Sequence, residues 1–192
     1  MKKIFSPLSF LGTLLIGCDN NTVGKQVEAN ASNQPTVDTL CFEFKLMKDV
    51  TSCQLIIEND KVRGYFDWSP FEKDGAHGIL QNGVKKGDII TADWQMMIEG
   101  NVQTEEVMFK LEGIKLSKLE GEMVEKEDKM VIKSPQTAIA NDILVKVDCS
   151  QIATGLENAK LAVEAMQTTR KYKDLNLGLE NGSSVHTDEP FS

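Results

Sequence analysis

Apolar and polar side chains alternate along DIITADWQMMIE, residues 88–99. An alternation of period two is typical of a β-strand that buries one face. The next run, VQTEEVMFKL at 102–111, alternates in the same way. Glu99, Gly100 and Asn101 between the two runs predict a tight hairpin, because glycine and asparagine tolerate the positive φ angles of such turns.

Further alternating runs lie on both sides of this hairpin and are separated by short groups of turn residues. Short strands joined in this way are typical of an all-β sandwich or barrel. We therefore expect a mainly β fold, an antiparallel meander of about eight strands closed into a small barrel or a tight sandwich, because closure removes exposed strand edges. The other predicted strands lie near residues 39–46, 50–58, 61–68, 78–84, 114–124, 129–133 and 143–148.

After Cys149 the apolar residues change to helical spacing, which predicts one amphipathic helix packed against the β domain. Thr154 and Glu157 fit a capping box, in which each side chain accepts a hydrogen bond from a free backbone N–H of the first turn. The positions that would face the β domain are Leu156, Ala159, Val163 and Met166.

The first residues, MKKIF, and the apolar run from Ile4 to Gly17 have the pattern of an export signal that is later removed. The run is too short to span a bilayer as a helix. Its end, Leu15-Ile16-Gly17-Cys18, resembles the lipobox of bacterial lipoproteins. The resemblance implies that the chain is cut before Cys18, and that the Cys18 thiol and the new N-terminus carry acyl chains.

Such acylation implies a protein held to a membrane of the bacterial cell envelope, since two or more acyl chains give stable anchoring. The sequence leaves open whether this is the inner or the outer membrane. The polar residues after Cys18 show no period and predict a flexible tether with an r.m.s. reach of about 25 Å. The predicted organisation is a signal peptide at 1–17, an anchored tether at 18–38, a β domain at 39–149, a helix at 150–172 and a disordered tail at 173–192.

The chain is acidic, with a formal net charge of −8, and has no stripe of lysines and arginines with interleaved aromatic residues. Such a chain repels phosphate backbones, so we expect no nucleic-acid partner. The expected partners are the membrane, through acylated Cys18, and a protein that the sequence does not identify.

Three further cysteines remain once Cys18 is acylated: Cys41, Cys53 and Cys149. An exported protein folds in an oxidising compartment, so we expect one disulfide and one free thiol. Cys41 lies in the first strand and Cys149 closes the last, and these strands are neighbours in a closed meander. This favours Cys41–Cys149, with Cys41–Cys53 across the first hairpin as the alternative. Cys53 is in phase with apolar residues and is interpreted as a small buried hydrophobe.

Four stretches between residues 41 and 149 are similar to a group of small uncharacterised β-rich lipoproteins of Bacteroidota-type bacteria. The resemblance implies a lipoprotein, a β-rich fold and the Cys41–Cys149 pairing, and it implies no particular activity. The stretches are CFEFKLMKDVTSCQL at 41–55, FEKDGAHG at 71–78, GDIITADWQMMIEG at 87–100 and KVDC at 146–149.

The sequence contains no zinc-binding spacing, EF-hand loop, phosphate-binding glycine loop or GxSxG motif. We therefore expect no enzyme, no cofactor and no metal. His77 stands beside Glu72 and Asp74 in FEKDGAHG and is interpreted as a solvated turn residue rather than a ligand or an acid–base group.

Trp68 and Trp94 fall in phase with the apolar side of their strands, which predicts that both point inward. If they fill the core, the protein is an envelope lipoprotein with a non-enzymatic structural or protein-interaction role. If the interior is wide enough, they line a cavity for a small apolar molecule or lipid, as in some small barrels. A hydrolase built from scattered carboxylates is the third alternative, and it requires clustered acids with raised pKa values.

Overall fold

The structure is a computed structural model that describes residues 36–180, with side chains described up to Tyr172. The described part contains ten strands, two short 3-10 turns at Pro135–Thr137 and Cys149–Ile152, and one helix, α1, at Ala153–Glu180. The strands are β1 Val37–Leu46, β2 Asp49–Glu58, β3 Lys61–Ser69, β4 Ala76–Lys86, β5 Ile89–Ile98, β6 Asn101–Glu112, β7 Lys115–Glu120, β8 Met123–Lys126, β9 Lys129–Ile132 and β10 Ile139–Val147.

Eight of these strands form a closed antiparallel barrel. Consecutive strands from β1 to β7 pair as a meander, β10 pairs with both β7 and β1, and the pairing of β5 with β6 completes the ring. The predicted fold class is therefore confirmed, and of its two forms the chain adopts the barrel. Closure satisfies the backbone groups that a strand edge would leave unpaired.

The predicted strand at 114–124 is two strands in the structure. β7 ends at Glu120, and Gly121 and Glu122 separate it from β8. Glycine weakens a strand interior because it has no side chain to pack, which explains the break. β8 and β9 then form a hairpin beside β6, joined to β5 by an ion pair between the Lys129 Nζ and the Asp93 Oδ1 at 2.7 Å.

The hairpin between β5 and β6 forms as predicted, with a shift of one residue in its turn. Glu99 and Gly100 take the left-handed conformation, at φ 51° and 76°, and Asn101 already belongs to β6. A two-residue turn of this type requires positive φ at both of its central residues. The register of the two strands thus places Glu99, rather than the more tolerant Asn101, in the left-handed position.

The interior of the barrel is occupied by apolar side chains of the inward-facing positions. The Phe66 ring contacts those of Trp94 and Phe109 edge to face, with ring centroids 4.7 and 5.5 Å apart. Such aromatic pairs add to the stabilisation that burial itself provides. Trp68 is partly buried and packs against the same cluster. Other fully buried members are Phe42, Cys53, Leu55, Leu80, Ile90, Leu116 and Leu144.

Two inward-facing glycines allow the strands to approach each other at bends of the barrel wall. A Cβ atom placed on Gly64 would lie 1.8 Å from the backbone oxygen of Gln54, and one on Gly78 would lie 2.0 Å from that of Gln95. Both distances are far below van der Waals contact, so only glycine fits. Glycine at such positions is a recognised way to curve a barrel strand.

The start of the helix differs from the predicted capping box. Asp148 caps the preceding 3-10 turn, its side chain accepting a hydrogen bond from the Ser150 N–H, and α1 continues from that turn. Thr154 therefore lies inside the helix and is not its N-cap. The 3-10 turn begins directly at Cys149, where the disulfide fixes the chain, so the helical conformation starts earlier than the capping pattern indicates.

The helix also continues to Glu180, whereas the sequence predicts a tail from residue 173. Residues 173–180 contain no proline, and five of the eight are lysine, leucine or glutamate, which favour helix and continue it through Asp174, Asn176 and Gly178. The remainder of the predicted tail, 181–192, lies outside the described residues. At the other end, β1 begins at Val37, two residues before the predicted start of the β domain.

Candidate functional site

A disulfide joins Cys41 on β1 to Cys149 at the end of β10, with the Cα atoms 5.1 Å apart. The predicted pairing is thereby confirmed, and for the expected reason, because Cys41 is in register with Val147 of the neighbouring strand β10. Cys53 is the free thiol among the described residues and is fully buried, as predicted. Burial raises the pKa of the Cys53 thiol, so it is kept in its unreactive protonated form.

The disulfide also fixes the point where α1 leaves the barrel, and the helix then packs outside strands β2 to β5. Of the predicted contact positions, Ala159 and Met166 are buried, whereas Leu156 and Val163 are half-buried. The buried stripe of the helical segment contains Ala159 and Met166, and Leu156 and Val163 lie along one edge of it. Its members recur with the 3.6-residue period, as expected for the side of a helix that faces a barrel. The members of the stripe are Ile152, Gly155, Ala159, Ala162 and Met166.

A row of polar side chains crosses the outer barrel wall close to this helix. Ser52, Asp67 and His77 are direct cross-strand neighbours on β2, β3 and β4. The Nδ1 atom of His77 lies 2.5 Å from Oδ1 of Asp67, and Ser69 donates its hydroxyl to the Asp67 Oδ2 at 2.9 Å. A carboxylate only accepts hydrogen bonds, so His77 donates from Nδ1 and its ring orientation is fixed.

Asp67 is only 2% exposed and lies close to the first turn of α1. A Cβ atom on Gly155 would be 3.1 Å from the Asp67 Oδ2 and 2.6 Å from the Ser52 Oγ, so this glycine lets the helix backbone rest directly on the polar row. The N-terminal turn of a helix carries partial positive charge, which stabilises a nearby carboxylate. The helix therefore packs directly against the row.

His77 is thus not the solvated turn residue that the sequence predicts. It lies in β4 and is half-buried, whereas Glu72 and Asp74 are exposed in the loop before it. The reason is that β4 begins at Ala76, two residues earlier than predicted, which brings His77 into the ladder opposite Asp67. The His77 ring also borders an open groove of about 510 Å³ between this loop and α1.

Although the row contains serine, aspartate and histidine, their order does not suit nucleophilic catalysis. Asp67 stands between the other two, so Ser52 and His77 are two strand spacings apart, about 10 Å. A base must be within hydrogen-bond reach of the nucleophile that it activates. The Ser52 Oγ is buried and has no hydrogen-bond partner among the described residues. The arrangement supports a structural role.

Replacing Asp67 with asparagine should lower the free energy of unfolding by about 1–3 kcal/mol, because one of its two donors loses its acceptor and the negative charge beside the helix is lost. Chemical denaturation of both proteins measures this difference. Asp60→Asn in an exposed turn is the matched control and should be nearly neutral. Equal stability of the two variants would show that the row does not hold the helix.

The two tryptophans occupy different surroundings. Trp94 is 3% exposed, and its Nε1 atom has no hydrogen-bond partner within the described part of the chain. The Lys118 ammonium lies 5.9 Å from the Trp94 ring centroid and 3.6 Å from the Glu105 carboxylate.

Trp68 instead borders an open groove of about 670 Å³ at the end of the barrel, together with Phe44, Thr51 and Phe71. The lining of this groove does not include Trp94. The cavity between both tryptophans stays a prediction.

The predicted anchor, Cys18, and the signal peptide lie outside the described residues. Within residues 36–172, no group of three or more His, Cys, Asp or Glu side chains is arranged to hold a metal ion. No helix in the described part of the chain is long and apolar enough to cross a membrane.

Comparison with known proteins gives no match: no family model fits the chain, and neither a curated protein nor a solved structure is significantly similar to it.

Proposed function

We propose that this protein is a lipid-anchored lipoprotein of the bacterial cell envelope, with a non-enzymatic structural or protein-interaction role. The observation that carries the proposal is the stretch Leu15–Cys18, which follows a basic start and a short apolar run. Each methylene of an acyl chain on Cys18 contributes about 0.8 kcal/mol to membrane binding, so two or more chains hold the protein stably.

The architecture of the folded part supports a role in presenting surfaces. The barrel closes on itself, its interior is occupied by side chains, the disulfide fixes the start of the helix, and Gly155 packs the helix against the Asp67 row. β10 also exposes three large apolar residues on this scaffold, a feature associated with protein contacts. These are Ile139, Ile143 and Val145, which are 70%, 45% and 44% exposed.

Binding of a small apolar molecule or lipid by the barrel is the second candidate function. It is favoured by the groove of about 670 Å³ beside Trp68, which has the size and the aromatic lining of many ligand sites. A ligand that copurifies would add mass to the native protein, and this mass would disappear on denaturation. Its absence from protein purified without detergent would favour the first function.

Changing Cys18 to serine tests the anchor directly. Because serine cannot receive the thioether-linked lipid, we expect the variant to keep its signal peptide and to lose its acyl chains, which fractionation and gel mobility would show. Cys53→Ala is the matched control, since it removes the other unpaired thiol without touching the predicted lipobox. A Cys18→Ser variant that fractionates and migrates like the unchanged protein would contradict the proposal.

A further inference from the structure

One end of the barrel carries a projecting apolar surface, which we call the apolar tip: Leu46, Met47, Pro70 and Phe71. Leu46 and Met47 lie at the turn between β1 and β2, and the other two follow β3. Leu46, Met47 and Phe71 are 57%, 98% and 59% exposed. An exposed apolar cluster of this kind marks an interaction surface rather than a feature that stabilises the fold.

The tip is held in shape by contacts of its own. Met47 takes the left-handed conformation, at φ 55°, which places it at the outermost point of a tight turn. The Phe71 N–H donates to the Asp49 Oδ1 at 2.7 Å, and the Lys48 Nζ lies 3.8 Å from the Phe71 ring centroid. The two loops are therefore joined to each other, and little conformational freedom is left to lose on binding.

The charges around the tip nearly cancel, with two lysines against three acids, although the chain as a whole is acidic. Lys48 and Lys73 border the groove beside the tip, as do the acids Asp49, Glu72 and Asp142. The Lys48 stem lies along the Phe71 ring, an arrangement in which the ammonium reaches toward polar groups while the methylenes stay on apolar surface. This composition suits the boundary between acyl chains and headgroups of a lipid bilayer.

We propose that the apolar tip docks onto the lipid surface that holds the anchor, a step that rests on the proposed function. All four residues of the tip line the open groove beside Trp68, and Met47, at 98% exposed, stands at its rim, where it can meet a flat lipid surface. Residues 18–36 span at most about 65 Å when fully extended. β1 places Val37 about 33 Å from the tip, so an anchor at Cys18 can reach the membrane on which the tip rests.

Docking in this position gives the barrel a defined orientation. The end with the β1–β2 turn faces the bilayer, and the opposite end, with Ile114 in the β6–β7 turn, faces away from it. Protein partners then reach the helix and the outer face of β10 from the side. The tether sets the local concentration of the tip at the membrane, so a weak contact of three apolar side chains is sufficient.

Trp68 serves as an intrinsic probe, because it borders the groove at the tip end whereas Trp94 is buried in the core. The acylated mature protein, purified from membranes, is reconstituted into vesicles of phosphatidylethanolamine and phosphatidylglycerol with brominated acyl chains. We expect bromine to quench the Trp68 emission, and a Trp68→Phe variant to lose the quenched component. High salt should leave the quenching unchanged, since the contact is apolar.

Met47→Glu and Phe71→Glu should each lower the ratio of docked to undocked protein by about tenfold or more, which is the range expected from the burial of one large apolar side chain. Ile114→Glu at the opposite end is the matched control and should quench like the unchanged protein. All three positions are exposed, so thermal unfolding should confirm that each variant is folded.

The outcomes separate this proposal from the one on which it rests. Protein that does not partition into vesicles at all would overturn the lipid anchor. Protein that partitions but shows equal Trp68 emission in brominated and ordinary vesicles would overturn docking and assign the tip to a protein partner. Quenching that persists in both tip variants would likewise contradict the proposed surface.

Discussion

Replacing Gly64 with alanine is expected to lower the free energy of unfolding by roughly 3 kcal/mol or more. The new methyl group would stand 1.8 Å from the Gln54 oxygen, an atom of the neighbouring strand that cannot rotate away. The clash can be relieved only by moving β2 from β3, which breaks ladder hydrogen bonds and opens the core around Phe66. Urea denaturation followed by circular dichroism measures the loss.

The matched control for this change is Gly87→Asn. Gly87 has a positive φ of 63° but no atom within 4 Å of its Cβ position, so a substitution there tests conformational freedom without a clash. Asparagine tolerates this conformation, and the expected loss is below about 1 kcal/mol. If both variants lost the same amount, close strand approach at Gly64 would not be the reason for its glycine.

Removing the disulfide with Cys41→Ser and Cys149→Ser together is the second change with a large expected effect. The bridge spans 108 residues, and in the chain-entropy model closing such a loop stabilises a protein by about 4–5 kcal/mol. The denaturation midpoint should fall accordingly, and hydrogen exchange should accelerate first in α1, since the bridge fixes the start of that helix.

Reduction of the unchanged protein should reproduce this loss, whereas Cys53→Ala should retain the bridge and most of the stability. A loss of less than about 1 kcal/mol in the double serine variant would show that the barrel seam and helix packing do not depend on the bridge.

The class of fold could be predicted because alternation and turn residues act locally. The run 88–99 alternates over its whole length, and such a period of two fits a strand with one buried face and does not fit a helix. Even the disulfide could be predicted, because closure makes the first and last strands neighbours whatever their register. The choice between barrel and sandwich depends on bends such as the one at Gly64, where the approaching atom belongs to a different strand.

The Asp67 row and the apolar tip could not be predicted in this way. Whether Asp67 meets His77 depends on the register of β3 against β4, and a shift of one residue would place them on opposite faces. The only local signal was an aspartate between Phe66 and Trp68, on the side of the strand that faces outward and would be exposed if no helix covered the barrel. The tip joins Met47 to Phe71, because the pairing of β2 with β3 sets Val50 opposite Ser69 and the shapes of the two following loops then decide the contact.

The lipid anchor is tested most sharply by the intact mass of the mature protein extracted from membranes. A polypeptide that begins at Cys18, heavier than its sequence by two or three acyl chains with their glycerol and lighter by two hydrogens for one disulfide, is the predicted result. An unmodified chain that retains residues 1–17, or one cut elsewhere without lipid, would contradict the account of this protein as a lipid-anchored envelope barrel.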